Sequence, residues 1–250
     1  MVKLLKSFSI SPTALRLLFK AGLLTAVLGG AYFLGFSFWP LFVFFLVLLA
    51  VYLKEPLERR LVGTSFFILA FFSVLGLAMF RSFGFNSSFL LLAAFFLFFG
   101  LFFIILGLIH FVFENRFAVY GIFNTILLLL VFLVVQRLEL NDFLKYFLIF
   151  SAIMLIFRET FLYFGILLGS RVWFVSAVAG FLAVELYLLV VFLPLGFINA
   201  AAFLALFFLL IRDSLAVHFQ GFLNLAFIFR QLTFFVFLTT IIFAAAKWAI

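Results

Sequence analysis

Hydrophobic positions in this chain form long unbroken runs rather than an alternating pattern. Ala21–Leu53 contains no charged residue, and Leu61–Phe80, Ser82–His110 and Phe117–Gln136 are equally uncharged. A bilayer core about 30 Å thick requires roughly 20 apolar residues per helical crossing, so these runs have the length that a membrane demands. Leu127–Val135 is apolar at every position, which excludes the two-residue alternation of a membrane β-barrel. The pattern predicts an all-α, polytopic transmembrane bundle.

Breaks in the runs divide the chain into nine predicted transmembrane helices. Gly, Pro and clusters of charged residues mark the breaks, because they interrupt an apolar helix. We place the helices at about residues 14–34, 38–53, 61–80, 89–112, 117–135, 143–168, 172–193 and 196–211, with a ninth that follows a semi-polar connector at 214–224 and runs to about 246. Eight crossings, with 143–168 or 196–211 re-entrant, is the alternative.

The composition leaves room for no folded soluble domain. Of the 250 residues, 70% are hydrophobic and 10% charged, and the mean hydropathy is +1.50. We therefore expect a single transmembrane helical domain over residues 14–250. Residues 1–13 are interpreted as a basic cytoplasmic leader rather than a cleaved signal peptide, since no small-residue cleavage site follows a short apolar core.

Lysine and arginine are distributed unevenly between the predicted loops. Ten fall in segments on the side of the N-terminus: Lys3, Lys6, Arg16, Lys20, Lys54, Arg59, Arg60, Arg116, Arg171 and Arg212. Four fall on the other side: Arg81, Arg137, Lys145 and Lys247. Because basic loops stay in the cytoplasm, this bias predicts a cytoplasmic N-terminus. The net charge of +8 then faces anionic lipid, and we expect the bilayer, other membrane subunits or further copies as partners, but no nucleic acid.

A few ionisable residues within predicted helices are the main functional signal. An ionised group inside a membrane helix costs at least about 2.5–3.5 kcal/mol and is seldom retained without a partner or a role. If the sixth helix is continuous, Arg158 and Glu159 lie at about the same depth as Glu185 on the seventh. A very short turn joins these two helices, so we expect them to be antiparallel neighbours. Arg158 or its neighbourhood should then face Glu185, with Arg230 within reach of the same cluster.

Two interpretations of this charged cluster are open. In the first it is an internal polar clamp that fixes helix packing, and in the second it is a proton, ion or substrate site. The auxiliary polar residues of such a site are Tyr163, Tyr187, Gln220, Asn224 and Gln231. We place the clamp slightly ahead.

No cofactor, metal site or catalytic residue is predicted. The chain has no Cys and only two His, so neither thiolate chemistry nor a complete zinc ligand set is supplied. It also lacks the Gly-x-x-x-x-Gly-Lys phosphate-binding motif. Small residues at Gly22, Ala26 and Gly30 are spaced by four, and we expect them to let the first helix approach a neighbour closely.

The last third of the chain has three short motifs on successive predicted helices. They are Glu159-Thr160-x-x-x-Phe164-Gly165, Phe181-x-x-x-Glu185 and Gln220-x-x-x-Asn224. Their order resembles that of the CAAX-processing and bacteriocin-immunity group of glutamic intramembrane proteases. The resemblance implies a membrane-embedded site that activates water. The second Glu, the Arg and both His of the family pattern are absent here, so any relative would be divergent and inactive.

Function is therefore predicted at the level of class. A small transporter or permease-like protein, or a membrane subunit of one, is placed first, because buried charge is costly to retain without use. A non-catalytic membrane scaffold or assembly subunit follows closely, since most helices carry nothing polar with which to line an aqueous path. A divergent intramembrane enzyme ranks third. We expect an integral protein of a prokaryotic cytoplasmic (inner) membrane.

Overall fold

A computed structural model describes residues 12–54, 62–82, 88–110, 112–165, 169–221 and 224–246. Over these residues the chain forms helices and no strand. The helices are α1 (Pro12–Phe33), α2 (Phe38–Leu53), α3 (Gly63–Ser82), α4 (Ser88–Ile109), α5 (Arg116–Arg137), α6 (Asp142–Tyr163), α7 (Ser170–Val191), α8 (Phe197–Phe219) and α9 (Leu225–Ala245). The predicted leader falls almost entirely outside the described residues, as do Arg59, Arg60 and Lys247.

Eight of the described helices are long and apolar enough to cross a membrane, which is compatible with a multi-pass bundle. The exception is α2, an apolar helix of 16 residues. The two segments that we considered re-entrant are not the short ones, because α6 has 22 residues and α8 has 23. The all-α prediction is confirmed. The cytoplasmic N-terminus stays a prediction.

Residues group into two compact units, Met1–Phe123 and Asn124–Ile250, and the boundary between them falls within α5. In the first unit α1 packs along α4, with further contacts to α2 and α3. In the second unit α6 and α7 form the most extensively packed pair, and α8 contacts both α7 and α9. The predicted antiparallel pairing of the sixth and seventh helices is thereby confirmed.

Local sequence determines where several helices begin and end. The side-chain oxygen of Asn141 accepts a hydrogen bond from the Phe143 amide (2.7 Å), so Asn141 caps the first turn of α6. Gly165 (φ 64°) follows the end of α6, and Gly221 (φ 77°) follows the end of α8. Glycine adopts these left-handed conformations without steric cost, so it terminates helices readily.

Two predicted boundaries were wrong. The sixth helix ends at Tyr163 rather than near 168, because the chain turns at Gly165. The eighth continues to Phe219 instead of ending near 211, since no Gly or Pro occurs between Arg212 and Gly221. Arg212 and Asp213 consequently lie inside α8 and not in a loop.

Candidate functional site

The packing of α6 against α7 determines which of their polar residues share a level. Three contacts define the antiparallel register. The rings of Tyr146 and Tyr187 have centroids 6.2 Å apart, and those of Phe150 and Phe181 are 4.9 Å apart. At the other end, the Arg158 guanidinium lies 4.1 Å from the ring centroid of Trp173.

This register places Arg158 and Glu185 far apart. Glu185 is level with Tyr146 on α6, whereas Arg158 is level with Trp173, 12 residues and about 18 Å away along α7. Among the described residues no ion pair joins them. The prediction that Arg158 faces Glu185 was therefore wrong. It assumed a sixth helix extending to 168, which would have brought Arg158 deeper into the bundle.

Glu185 lies on the exposed side of α7. Its neighbours on that side are apolar and exposed, with Phe181 at 64% and Leu189 at 64% of their maximal surface. We call this surface the outward face of α7 and define it as Phe174, Val178, Phe181, Leu182, Glu185 and Leu189. The opposite side of α7 is buried and carries small residues such as Ser176, Ala179 and Ala183. Glu185 is thus the one charged group among these six residues.

The structure does not bring the other predicted site residues together. Arg230 is exposed on α9, and its guanidinium lies 5.6 Å from the ring centroid of Phe227 on the same helix. Gln220 is the exposed residue that follows α8, and the Asn224 side chain accepts a hydrogen bond from the Phe227 amide (2.7 Å) as the N-cap of α9. Tyr163 is half-buried at the end of α6. Glu159 and Tyr187 are deeply buried, at 2% and 4% exposure.

A polar cluster does exist in the second unit, but it is built from other residues. It comprises Asn124 of α5, Thr160 of α6, and Arg212 and Asp213 of α8. Arg212 Nη1 donates to Asn124 Oδ1 at 2.9 Å, and Asn124 Nδ2 donates to Thr160 Oγ1 at 3.3 Å. The Thr160 hydroxyl in turn donates to the Ile156 carbonyl at 2.8 Å.

The charge of Arg212 is balanced within its own helix. Its Nε and Nη2 atoms both lie 2.8 Å from Asp213 Oδ1, so the guanidinium engages the carboxylate and the amide of Asn124 at once. Arg212 is 6% exposed, whereas the Asp213 side chain is 33% exposed. Because buried charges require hydrogen-bonded partners, this arrangement satisfies Arg212 and links α8 through α5 to α6.

Such a cluster can hold three helices in one register. Removing one member would leave a buried donor or acceptor unsatisfied, at a cost of about 1–3 kcal/mol. A polar clamp therefore fits the geometry of this cluster, but none of the predicted members Arg158, Glu185 and Arg230 belongs to it. Among the described residues, no group of three or more His, Cys, Asp or Glu is placed to hold a metal ion.

Sequence reasoning missed Asn124 and placed Arg212 in a loop. A signal for Arg212 was available, because residues 213–220 include neither Gly nor Pro and so continue the helix. The signal for Asn124 was weaker: it is an amide in the middle of an apolar run, next to Thr125.

No protein-family model, curated protein sequence or solved structure matches this chain. The resemblance to glutamic intramembrane proteases thus gains no support from these comparisons. The geometry does not favour it either, because Glu159 is buried while Glu185, Gln220 and Asn224 are exposed.

Proposed function

We propose that the protein is a non-catalytic membrane scaffold or assembly subunit that binds a transmembrane helix of another protein along the outward face of α7. One observation carries this proposal. Glu185 is exposed on that apolar face, and among the described residues it takes part in no ion pair. In lipid, an ionised carboxylate at this position is costly unless a partner supplies the opposite charge.

The chemistry of the face specifies the chemistry of the partner. Exposed Phe174, Phe181 and Leu189 offer a broad apolar surface on either side of Glu185. A helix with a Lys or Arg at the level of Glu185, flanked by small or apolar residues, would neutralise the carboxylate and cover the rings. Glu185 lies 15 residues beyond Ser170, so this cation should lie about 22 Å from the membrane surface at which α7 begins.

A second copy of the chain fits this face less well. A parallel dimer formed through the two outward faces would bring two Glu185 carboxylates to the same level, where like charges repel. The exposed Arg230 cannot compensate, since it lies only five residues, or about 8 Å, from the start of α9. Charge complementarity therefore favours a different protein with a basic transmembrane helix.

The proposal is tested by site-specific crosslinking followed by a charge exchange. A photoreactive amino acid at Phe181 should crosslink in cells to a membrane protein with Lys or Arg in a transmembrane helix. Glu185→Lys should abolish that crosslink. Exchanging the partner's basic residue for Glu should restore it in the Glu185→Lys background.

The matched controls are a crosslinker at Phe237 on α9 and the neutralisation Glu139→Gln. Phe237 is as exposed as Phe181, at 61%, and Glu139 is an exposed carboxylate in the connector between α5 and α6. The crosslinker at Phe237 should capture no partner, and Glu139→Gln should leave the crosslink from Phe181 unchanged. A crosslink from Phe181 that survives Glu185→Lys, or one that leads only to a second copy of this chain, would contradict the proposal.

A second candidate function is transport, with the protein acting as a small permease or a subunit of one. It rests on the polar cluster, in which Arg212 is buried while its partner Asp213 is one-third exposed and so connects the cluster with the exterior of the unit. In proteoliposomes, a proton or chloride flux that Arg212→Gln abolishes and Arg230→Gln leaves unchanged would favour transport over the scaffold.

The cellular setting is part of the same proposal. We infer a prokaryotic cytoplasmic membrane with the N-terminus inside. The inference rests on the bias of Lys and Arg towards the N-terminal side, where Arg116 and Arg171 lie in the first turns of α5 and α7. Reporter fusions after Arg116 and after Arg137 test this orientation. A reporter that is active only in the cytoplasm should work after Arg116 and fail after Arg137.

A further inference from the structure

An apolar groove runs between α1 and α4 in the first unit. It has a volume of about 510 Å³. Small residues of α1, among them Gly22, Ala26 and Gly30, form its floor, and Phe95 and Phe99 of α4 form a wall. The one hydroxyl in the lining belongs to Thr25, which donates to the carbonyl of Ala21 at 2.9 Å. The groove therefore presents no unsatisfied polar group to an occupant.

The glycines of α1 differ in the space beside them, since a Cβ added at Gly29 would lie 3.5 Å from the ring of Phe95. A Cβ added at Gly30 would meet nothing within 4 Å, and one added at Gly22 would lie 3.8 Å from Phe99. The predicted close approach of a neighbour is found along α4, which packs against α1, while the space at Gly30 stays open. Glycine inside a helix costs roughly 0.5–1 kcal/mol relative to alanine, so the chain forms this cavity at the expense of helix stability.

The length of the groove matches one leaflet of a bilayer. From Gly22 to Phe33 its floor extends over 11 residues, or about 16 Å of helix. Half of a hydrocarbon core about 30 Å thick measures about 15 Å. A single acyl chain lying along α1 would therefore reach from the middle of the membrane to the end of the helix.

A cation stands at the end of the groove that lies near Phe33. Arg81, in the last turn of α3, donates from Nη1 to the Tyr32 carbonyl at 2.6 Å and is itself exposed. Gly35 (φ 82°) gives this guanidinium room, since a Cβ there would lie 3.2 Å from Nη2. A guanidinium carries five N–H donors, and one bond to a carbonyl leaves its charge available for an anion.

We propose that this groove binds an anionic phospholipid, with one acyl chain along the glycines of α1 and the phosphate at Arg81. The apolar lining would contact the acyl chain of the lipid, and the guanidinium would favour a negatively charged headgroup. One basic residue near the membrane surface favours binding of anionic over zwitterionic lipid by about fivefold. The groove belongs to the first unit, so the proposal is independent of the outward face of α7.

Electron spin resonance with spin-labelled lipids tests the proposal on the full-length protein in phosphatidylcholine vesicles. The wild type should immobilise labelled phosphatidylglycerol about fivefold more strongly than labelled phosphatidylcholine. Arg81→Gln should abolish this preference, whereas Arg81→Lys should retain it. Gly30→Leu, which fills the open space, should reduce the immobilised fraction of both lipids.

Two matched variants separate a specific groove from general effects. Arg171→Gln removes another exposed cation next to a helix end, and Gly100→Leu adds the same bulk on α4 where a Cβ also meets open space. Both should behave like the wild type. A preference for phosphatidylglycerol that survives Arg81→Gln, or that Arg171→Gln weakens equally, would overturn the proposal. So would displacement of the label by inorganic phosphate alone, or an unchanged immobilised fraction in Gly30→Leu.

Discussion

Neighbouring helices α8 and α9 have nearly the same mean hydropathy, yet they are used differently. On α8, six residues are buried, including Arg212, whereas no residue of α9 is buried. Each helix carries one arginine. Arg212 bonds to Asn124 and Asp213, but Arg230 lies against a ring of its own helix.

The difference shows that hydropathy and packing are separate properties of a membrane helix. Lipid solvates apolar side chains as well as other helices do, so hydrophobicity alone does not bring helices together. Close contact requires small residues or polar bonds between helices. On α8 both are present, since Ala200, Ala201 and Ala205 line its buried side together with Arg212. The buried side of α7 follows the same rule.

The most sensitive test of the difference between α8 and α9 is to neutralise Arg212 and Arg230 separately. Arg212→Met leaves Asp213 and Asn124 without their shared donor, and removing one member of a buried pair is strongly destabilising. Because Asp213 is partly exposed, we expect a loss of about 3 kcal/mol, at the lower end of the usual range. Unfolding in mixed micelles of mild detergent and dodecyl sulfate measures it. Arg230→Met, the matched control, should change the free energy of unfolding by less than about 0.5 kcal/mol.

A second test extends the comparison to the close contact of α7 with α6. A Cβ at Gly180 would lie 2.9 Å from both the carbonyl oxygen and a ring carbon of Phe150, so Gly180→Ala forces the helices apart. We expect about 2 kcal/mol of destabilisation, as for other overpacked sites. Gly100→Ala, at an open position of α4, should be neutral or slightly stabilising in the same assay. Equal stability of the two alanine variants would show that α6 and α7 are not in close contact.

The smallest expected effect comes from the same substitution made in both regions. Thr160→Val removes the hydroxyl that accepts from Asn124 within the polar cluster, and we expect a loss of about 1 kcal/mol. Thr240→Val on α9 removes a hydroxyl that bonds only to the Val236 carbonyl of its own exposed helix, so it should have no measurable effect. Thermal unfolding of the two variants, measured side by side, compares their losses of stability. A larger loss for Thr240→Val than for Thr160→Val would contradict the difference drawn between the two regions.

Much of the architecture could be predicted from the sequence because the membrane imposes it. Apolar runs of the required length are interrupted at Gly35, at Pro194 and at clusters of charge. They placed the nine helices found among the described residues, with most ends correct to within a few residues. The turn predicted near Gly169 and Ser170 was short enough to indicate that α6 and α7 are antiparallel neighbours. Hydropathy and breakers are local signals, and a single sequence displays them directly.

The contacts between polar side chains could not be predicted in the same way. Placing Arg158 opposite Glu185 depended on where α6 ends. An error of five residues at that end shifts the position of Arg158 relative to α7 by about 8 Å along the helix axis. Whether Glu185 is buried or exposed depends on which side of α7 packs against other helices. Hydropathy does not indicate that side, because α7 is apolar all round. The bond between Asn124 and Arg212 joins positions 88 residues apart, a distance that no local pattern spans.

The length of α2 has a consequence for the surrounding lipid. A helix of 16 residues measures about 24 Å, some 6 Å less than an ordinary hydrocarbon core. A crossing by α2 would therefore require the bilayer to thin beside it, at a cost of fractions of a kcal/mol per ångström of mismatch. Such a dimple would draw headgroups inward next to α1, which contacts α2, and would favour thin membranes over thick ones as the residence of this protein.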